Sequence, residues 1–123
     1  MAGILVSVVA LFFLGMGVVA LARPERVVRY FGTNELTVDG RNEVRAVYGG
    51  FGIAVAGLLV LTLTDTGLAT GILATVAGSL IGMAAGRIAS RLIDGATGFY
   101  PALFLIVELG LAGALLLAAF GRP

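Results

Sequence analysis

The sequence predicts an all-α integral membrane protein: one domain, folded as a four-helix bundle with a short amphipathic interfacial helix in its first cytoplasmic connection. Three observations predict it. The chain is 59% hydrophobic and only 12% charged, with a mean hydropathy of +1.09, whereas soluble domains are about a quarter charged. Four apolar stretches, residues 3–22, 43–63, 67–93 and 102–120, can each cross a hydrocarbon core of about 30 Å at ~1.5 Å per residue. The connections between them hold the turn residues and most of the charge, and 123 residues leave no room for a second domain.

The first stretch ends in Ala20-Leu21-Ala22, which has the small-x-small form of a signal-peptide cleavage site. No Arg precedes it, however, and the apolar run exceeds an ordinary signal-peptide core, so a retained helix is expected. Residues 23–42 form the one long connection. Pro24 suits the first turn of a short helix, Arg26, Arg29, Tyr30 and Phe31 follow, and Gly32 can end it. Arg with aromatics beside a span marks a segment lying at the membrane surface. Asp39-Gly40 reads as a turn and Asn42 as the N-cap of the second span.

The second span opens Glu43-Val44-Arg45-Ala46-Val47-Tyr48-Gly49-Gly50-Phe51-Gly52. Such glycines weaken a soluble helix but let backbones meet in lipid. Thr64-Asp65-Thr66 is a tight turn, and Asp65 or Thr64 can cap the third span. Asp94-Gly95 ends that span, residues 96–101 return the chain, and Pro101 can sit in the first turn of the fourth.

Arg placement sets orientation. Arg23, Arg26, Arg29, Arg41, Arg45, Arg87 and Arg91 cluster at one end, and Arg122 alone lies at the other. The positive-inside bias puts the first end in the cytoplasm and both termini outside. The preference for Arg, Ala, Gly, Val and Leu points to a GC-rich bacterial genome, hence to a multi-pass protein of the bacterial inner membrane.

Absences exclude chemistry. There is no Cys and no His, which removes disulfides, thiolate nucleophiles, the commonest metal ligand and the usual general base. All eight basic residues are Arg, so no lysine can form a Schiff base. No metal cluster, cofactor site or nucleophile–base pair is recognisable, and no enzymatic activity is expected. A net charge of +1 gives no indication of nucleic-acid binding.

Two features stand out. Thr66, Thr70, Ala74, Gly78, Gly82, Gly86 and Ser90 recur every fourth residue along the third span, and all are small. Gly78, Gly82 and Gly86 are the expected packing glycines, because close backbone contact drives association in lipid. The stripe suits a neighbouring helix of the same bundle; the alternative is the third helix of a second copy, giving a homo-oligomer.

The other feature is intramembrane charge. Glu108 lies seven residues beyond Pro101, and Arg87 seven before Asp94, so both sit about 10 Å from the same surface. The short connection makes these helices antiparallel neighbours, and an Arg87–Glu108 pair is expected. Arg91 lies one turn nearer the surface on the same face as Arg87, Arg45 enters from that side, and Tyr48 is one turn deeper than Arg45. Arg45, Tyr48, Arg87, Arg91 and Glu108 are thus the candidate ligand-binding residues. Three Arg against one deep acid leave positive charge for an anionic lipid-like ligand or partner subunit, which guanidinium binds through two donors. The bland alternative is a pair that only locks helix register. A second functional alternative is a small transporter using Glu108 as a proton carrier.

Arg45-x-x-Tyr48-Gly49-Gly50, Gly86-Arg87-x-x-Ser90-x-x-x-Asp94-Gly95 and the intramembrane Glu108 resemble a family of small bacterial four-span membrane proteins, catalogued as domain of unknown function four-three-four-five. The resemblance covers nearly the whole chain and implies a four-helix membrane fold with no established activity. DoxX-like proteins are a distant alternative on fold analogy. Small multidrug resistance transporters are similar in size, but carry their essential Glu in the first helix, where this chain has no acid.

Overall fold

The computed structural model describes residues 1–33 and 35–121. Four long helices are apolar and long enough to cross a membrane: α1 (Ala2–Ala22), a second span over Val38–Leu61, then Thr66–Asp94 and Phe99–Phe120. Between the first two lies the short helix α2 (Pro24–Arg29), with proline in its first turn. The second span consists of α3 (Val38–Val44), a π-helical turn (Arg45–Gly50) and α4 (Phe51–Leu61). The third and fourth spans are α5 (Thr66–Asp94) and α6 (Phe99–Phe120). The protein is a multi-pass membrane protein with an all-α fold.

Its surface carries the same message. Large apolar side chains stay exposed on each span, as with Leu11 on α1 (67%), Val60 on α4 (53%), Leu68 on α5 (51%) and Ile106 on α6 (68%). A soluble bundle confines such side chains to one stripe; helices apolar all round belong in lipid.

α1 packs against the second span on one side and α6 on the other. α6 in turn packs along α5, and α5 touches α4. The main core gathers Val9, Phe13, Leu59, Leu73, Leu80 and Leu115 from the four spans. A smaller cluster of Ala20, Val27, Val28 and Val44 joins the short helix α2 to the ends of α1 and α3. α2 is amphipathic, with Pro24, Val27 and Val28 buried and Arg26 and Arg29 exposed.

The helix ends follow local chemistry, with two corrections. Asp65 caps α5, its Oδ1 accepting from the backbone N–H groups of Gly67 (3.0 Å) and Leu68 (3.3 Å). Gly32 (φ +85°) and Gly95 (φ +92°) take the left-handed conformation that lets the chain turn away. Asn42 is not the N-cap of the second span. Thr37 holds that place, its Oγ1 accepting from Gly40 N–H at 2.9 Å. The helix therefore runs through Asp39-Gly40 instead of turning there, and Asp39 in its first turn favours the helix dipole. α6 also starts three residues before the expected residue 102, at Phe99, and so takes in Pro101.

The packing glycines are the larger correction. A Cβ on Gly78, Gly82 or Gly86 would meet nothing within 4 Å, and all three are exposed. The small-residue stripe faces the outside of the bundle, not a neighbouring helix of this chain. Close backbone approach occurs instead between α1 and the second span. A Cβ on Gly17 would lie 2.8 Å from the Gly49 carbonyl oxygen, and one on Gly52 would lie 3.0 Å from that of Phe13.

Candidate functional site

One end of the bundle holds the close of α1, α2, the start of the second span, the close of α5 and the start of α6. Seven of the eight Arg lie at this end; Arg122, expected at the other, lies outside the described residues. The candidate site is built here, from the α5–α6 pair outward.

Arg87 and Glu108 meet as their depths require. Arg87 Nε donates to both Glu108 oxygens at 2.9 Å, and Arg87 Nη2 lies 2.7 Å from Oε1. The Glu108 side chain is 7% exposed and that of Arg87 is 29% exposed. The acid is thus sealed in the bundle, while the guanidinium reaches its edge. The Arg87 Cζ also lies 5.4 Å from the centre of the Phe104 ring, within cation–π range. Acid and ring together fix the guanidinium plane. Only one edge of the fork is consumed: Nη1 has no hydrogen-bond partner among the described residues.

Two hollows adjoin this guanidinium. The first, of about 340 Å³, is apolar and aromatic: Phe12, Phe13, Tyr30, Phe31, Tyr48 and Phe104 line it. Leu80, Met83, Arg87 and Glu108 form its α5 and α6 walls. The aromatic groups hold one another in place. Tyr30 sits 4.8 Å from Tyr100 and 5.6 Å from Phe104, edge to face, and Phe31 lies 5.9 Å from Tyr48. Val27 of α2, with Tyr30 and Phe31 just beyond that helix, closes this end of the cavity wall. The second hollow, of about 440 Å³, runs along the α5–α6 seam between Gly86, Arg87, Ser90, Arg91, Thr97 and Pro101. Gly86 contributes by its missing side chain. Arg87 and Met83 line both hollows.

The expected site residues therefore divide. Tyr48, Arg87 and Glu108 come together on the apolar cavity, and Arg91 joins Arg87 on the groove. Arg45 lines neither hollow. Its Nε donates to the carbonyl of Leu21 at 3.0 Å, answering one of the orphan acceptors at the end of α1 and placing positive charge at that helix's negative pole. Among the aromatic walls Tyr48 is an expected site residue, and Tyr30 and Phe31 belong to the expected interfacial segment. For Phe104 the signal is that Tyr100, Phe104 and Glu108 recur every fourth residue and so share a face of α6. Tyr48 owes its direction to the π-helical turn, in which Phe51 N–H reaches back five residues to the carbonyl of Ala46. Such turns concentrate at functional sites.

A family model described as "Domain of unknown function (DUF4345)" matches residues 1–119. The match does not extend to the DoxX-like alternative. No curated protein and no solved structure matched the chain.

Proposed function

Since the chain belongs to the DUF4345 family, whose description carries no activity, we propose from the geometry that it binds an anionic lipid-like ligand at Arg87, without catalysis. The observation that carries this reading is the half-used guanidinium. Arg87 is oriented by Glu108 and Phe104, keeps one donor edge open, and borders both an apolar cavity and a groove containing Arg91. A bidentate acceptor such as a carboxylate or phosphate matches that edge. With Glu108 balancing Arg87, Arg91 supplies the surplus charge. By the positive-inside bias the site faces the cytoplasm of a bacterial cell, with both termini outside the inner membrane. Both Glu108 oxygens are held by Arg87, which counts against the proton-carrier alternative.

Native mass spectrometry of protein extracted with its surrounding lipid tests this reading. Wild type should retain an anionic amphiphile that the double variant Arg87→Leu/Glu108→Leu loses. The double variant keeps the seam apolar, so neither buried charge is left alone. Finding no ligand on wild type, or equal retention by both proteins, would reject it.

A further inference from the structure

The apolar cavity narrows the ligand class beyond charge. It lies at the small end of the range for small-molecule sites, at about 340 Å³, which is room for one tail or ring system and not for two. Its walls offer Arg87 and Glu108 as charged groups and the hydroxyls of Tyr30 and Tyr48, and are otherwise apolar, which suits an uncharged tail or ring with one acidic end. Its opening also has a direction. Phe12, Gly15 and Val19 of α1 and Met83 of α5 line the cavity and are exposed. All four lie within membrane spans. α1 and α5 face each other across the bundle, since each packs on α6 and on the second span; at the Arg-rich end the cavity is lined by Val27 of α2 and by the half-exposed Tyr30 and Phe31. The exposed lining on α1 and α5 opens the cavity toward the acyl chains.

We infer that the occupant is a single-tailed carboxylate amphiphile that enters from the bilayer beside α1, its tail among the aromatic walls and its head on the open edge of Arg87. This rests on the anion-binding reading above and specifies it. The carboxylate follows from donor geometry: the guanidinium edge of Nη1 and Nη2 offers parallel donors to a two-oxygen acceptor. Gly15 provides the tail with space, since a Cβ there would meet nothing within 4 Å.

The test uses the full chain in phosphatidylcholine nanodiscs with palmitic acid bearing a mid-chain diazirine. After illumination, adducts are mapped by peptide mass spectrometry. Adducts should concentrate on the α1 segment around Gly15–Val19 and on Met83. Excess palmitate should suppress them at least tenfold, whereas methyl palmitate and two-chain phosphatidylglycerol should not. Gly15→Phe, which fills the cavity from α1, should lower labelling by a similar factor; Met83→Trp should do so from α5 if the first variant folds poorly. Labelling of Ile4, Leu11 and Leu117 as strong as that of the cavity would overturn the inference, because it marks ordinary lipid contact. Equal competition by the methyl ester would overturn the role of the carboxylate. Should mass spectrometry find an Arg87-dependent anion while palmitate labelling stays diffuse, anion binding stands and the single-tail class falls.

Discussion

The two seams of this bundle hold helices together by different means. Between α1 and the second span, backbone meets backbone: Gly17 and Gly52 sit where a Cβ would be only 2.8–3.0 Å from a carbonyl oxygen of the other helix. Between α5 and α6, the same end of the bundle is joined by a guanidinium and a carboxylate, with a hollow on each side. Lipid supplies no hydrophobic drive between helices, so either device can serve: dense van der Waals contact or a polar pair. The difference teaches what each costs. A glycine seam leaves no space for anything else. A polar seam keeps two side chains at arm's length and leaves a hollow on each side, where the proposed ligand would sit. The glycine seam is therefore the frame, and the polar seam is the one that borders the proposed site.

Substitutions can break this contrast. The largest effect is expected from Glu108→Leu, which leaves Arg87 without its partner and should cost about 3–5 kcal/mol. Reversible unfolding in mixed micelles measures it. The double variant with Arg87→Leu should recover most of the loss; if it falls as far as the sum of the singles, the two side chains do not act as a pair. Gly17→Leu comes next, at about 2–3 kcal/mol by overpacking. It should separate α1 from the second span, read as a lengthened distance between spin labels on those helices, while the α5–α6 distance holds. The smallest effect belongs to Gly82→Leu, within about 0.5 kcal/mol, since the new side chain meets nothing in the chain. A loss well above that would place another helix against α5 and make it a third seam.

How much of this was legible depends on whether the signal was local. Span existence followed from hydropathy, and the Arg87–Glu108 contact from counting residues to a shared surface on adjacent helices. Depth is linear in sequence, so that arithmetic works. Azimuth is harder. Gly78, Gly82 and Gly86 form a regular stripe, but a stripe states which residues share a face and not what that face meets. Gly49 and Gly52, less regular, met α1. Arg45 misled for a related reason. Its depth suited the cavity, yet the nearest need was the unanswered carbonyl of Leu21, visible only once α1 and the second span are side by side. Thr37 has the residue type of an N-cap, but the Asp39-Gly40 pair that follows it reads as a turn and hides the helix start.

The π-helical turn at Arg45–Gly50 amounts to one residue more than a regular α-helical ladder accommodates. Each residue rotates a helix by about 100°, so that surplus sets the two halves of the second span out of phase. Beyond it, Gly52 keeps its appointment with Phe13; within it, Arg45 and Tyr48 point along bearings that an unbroken helix would have denied them. A chain shortened by any one residue in this interval would regain a uniform ladder and keep its frame, but its upper half would be dialled round by more than a quarter turn. Reading frame along the helix, as much as residue identity, is thus part of what makes the cavity wall.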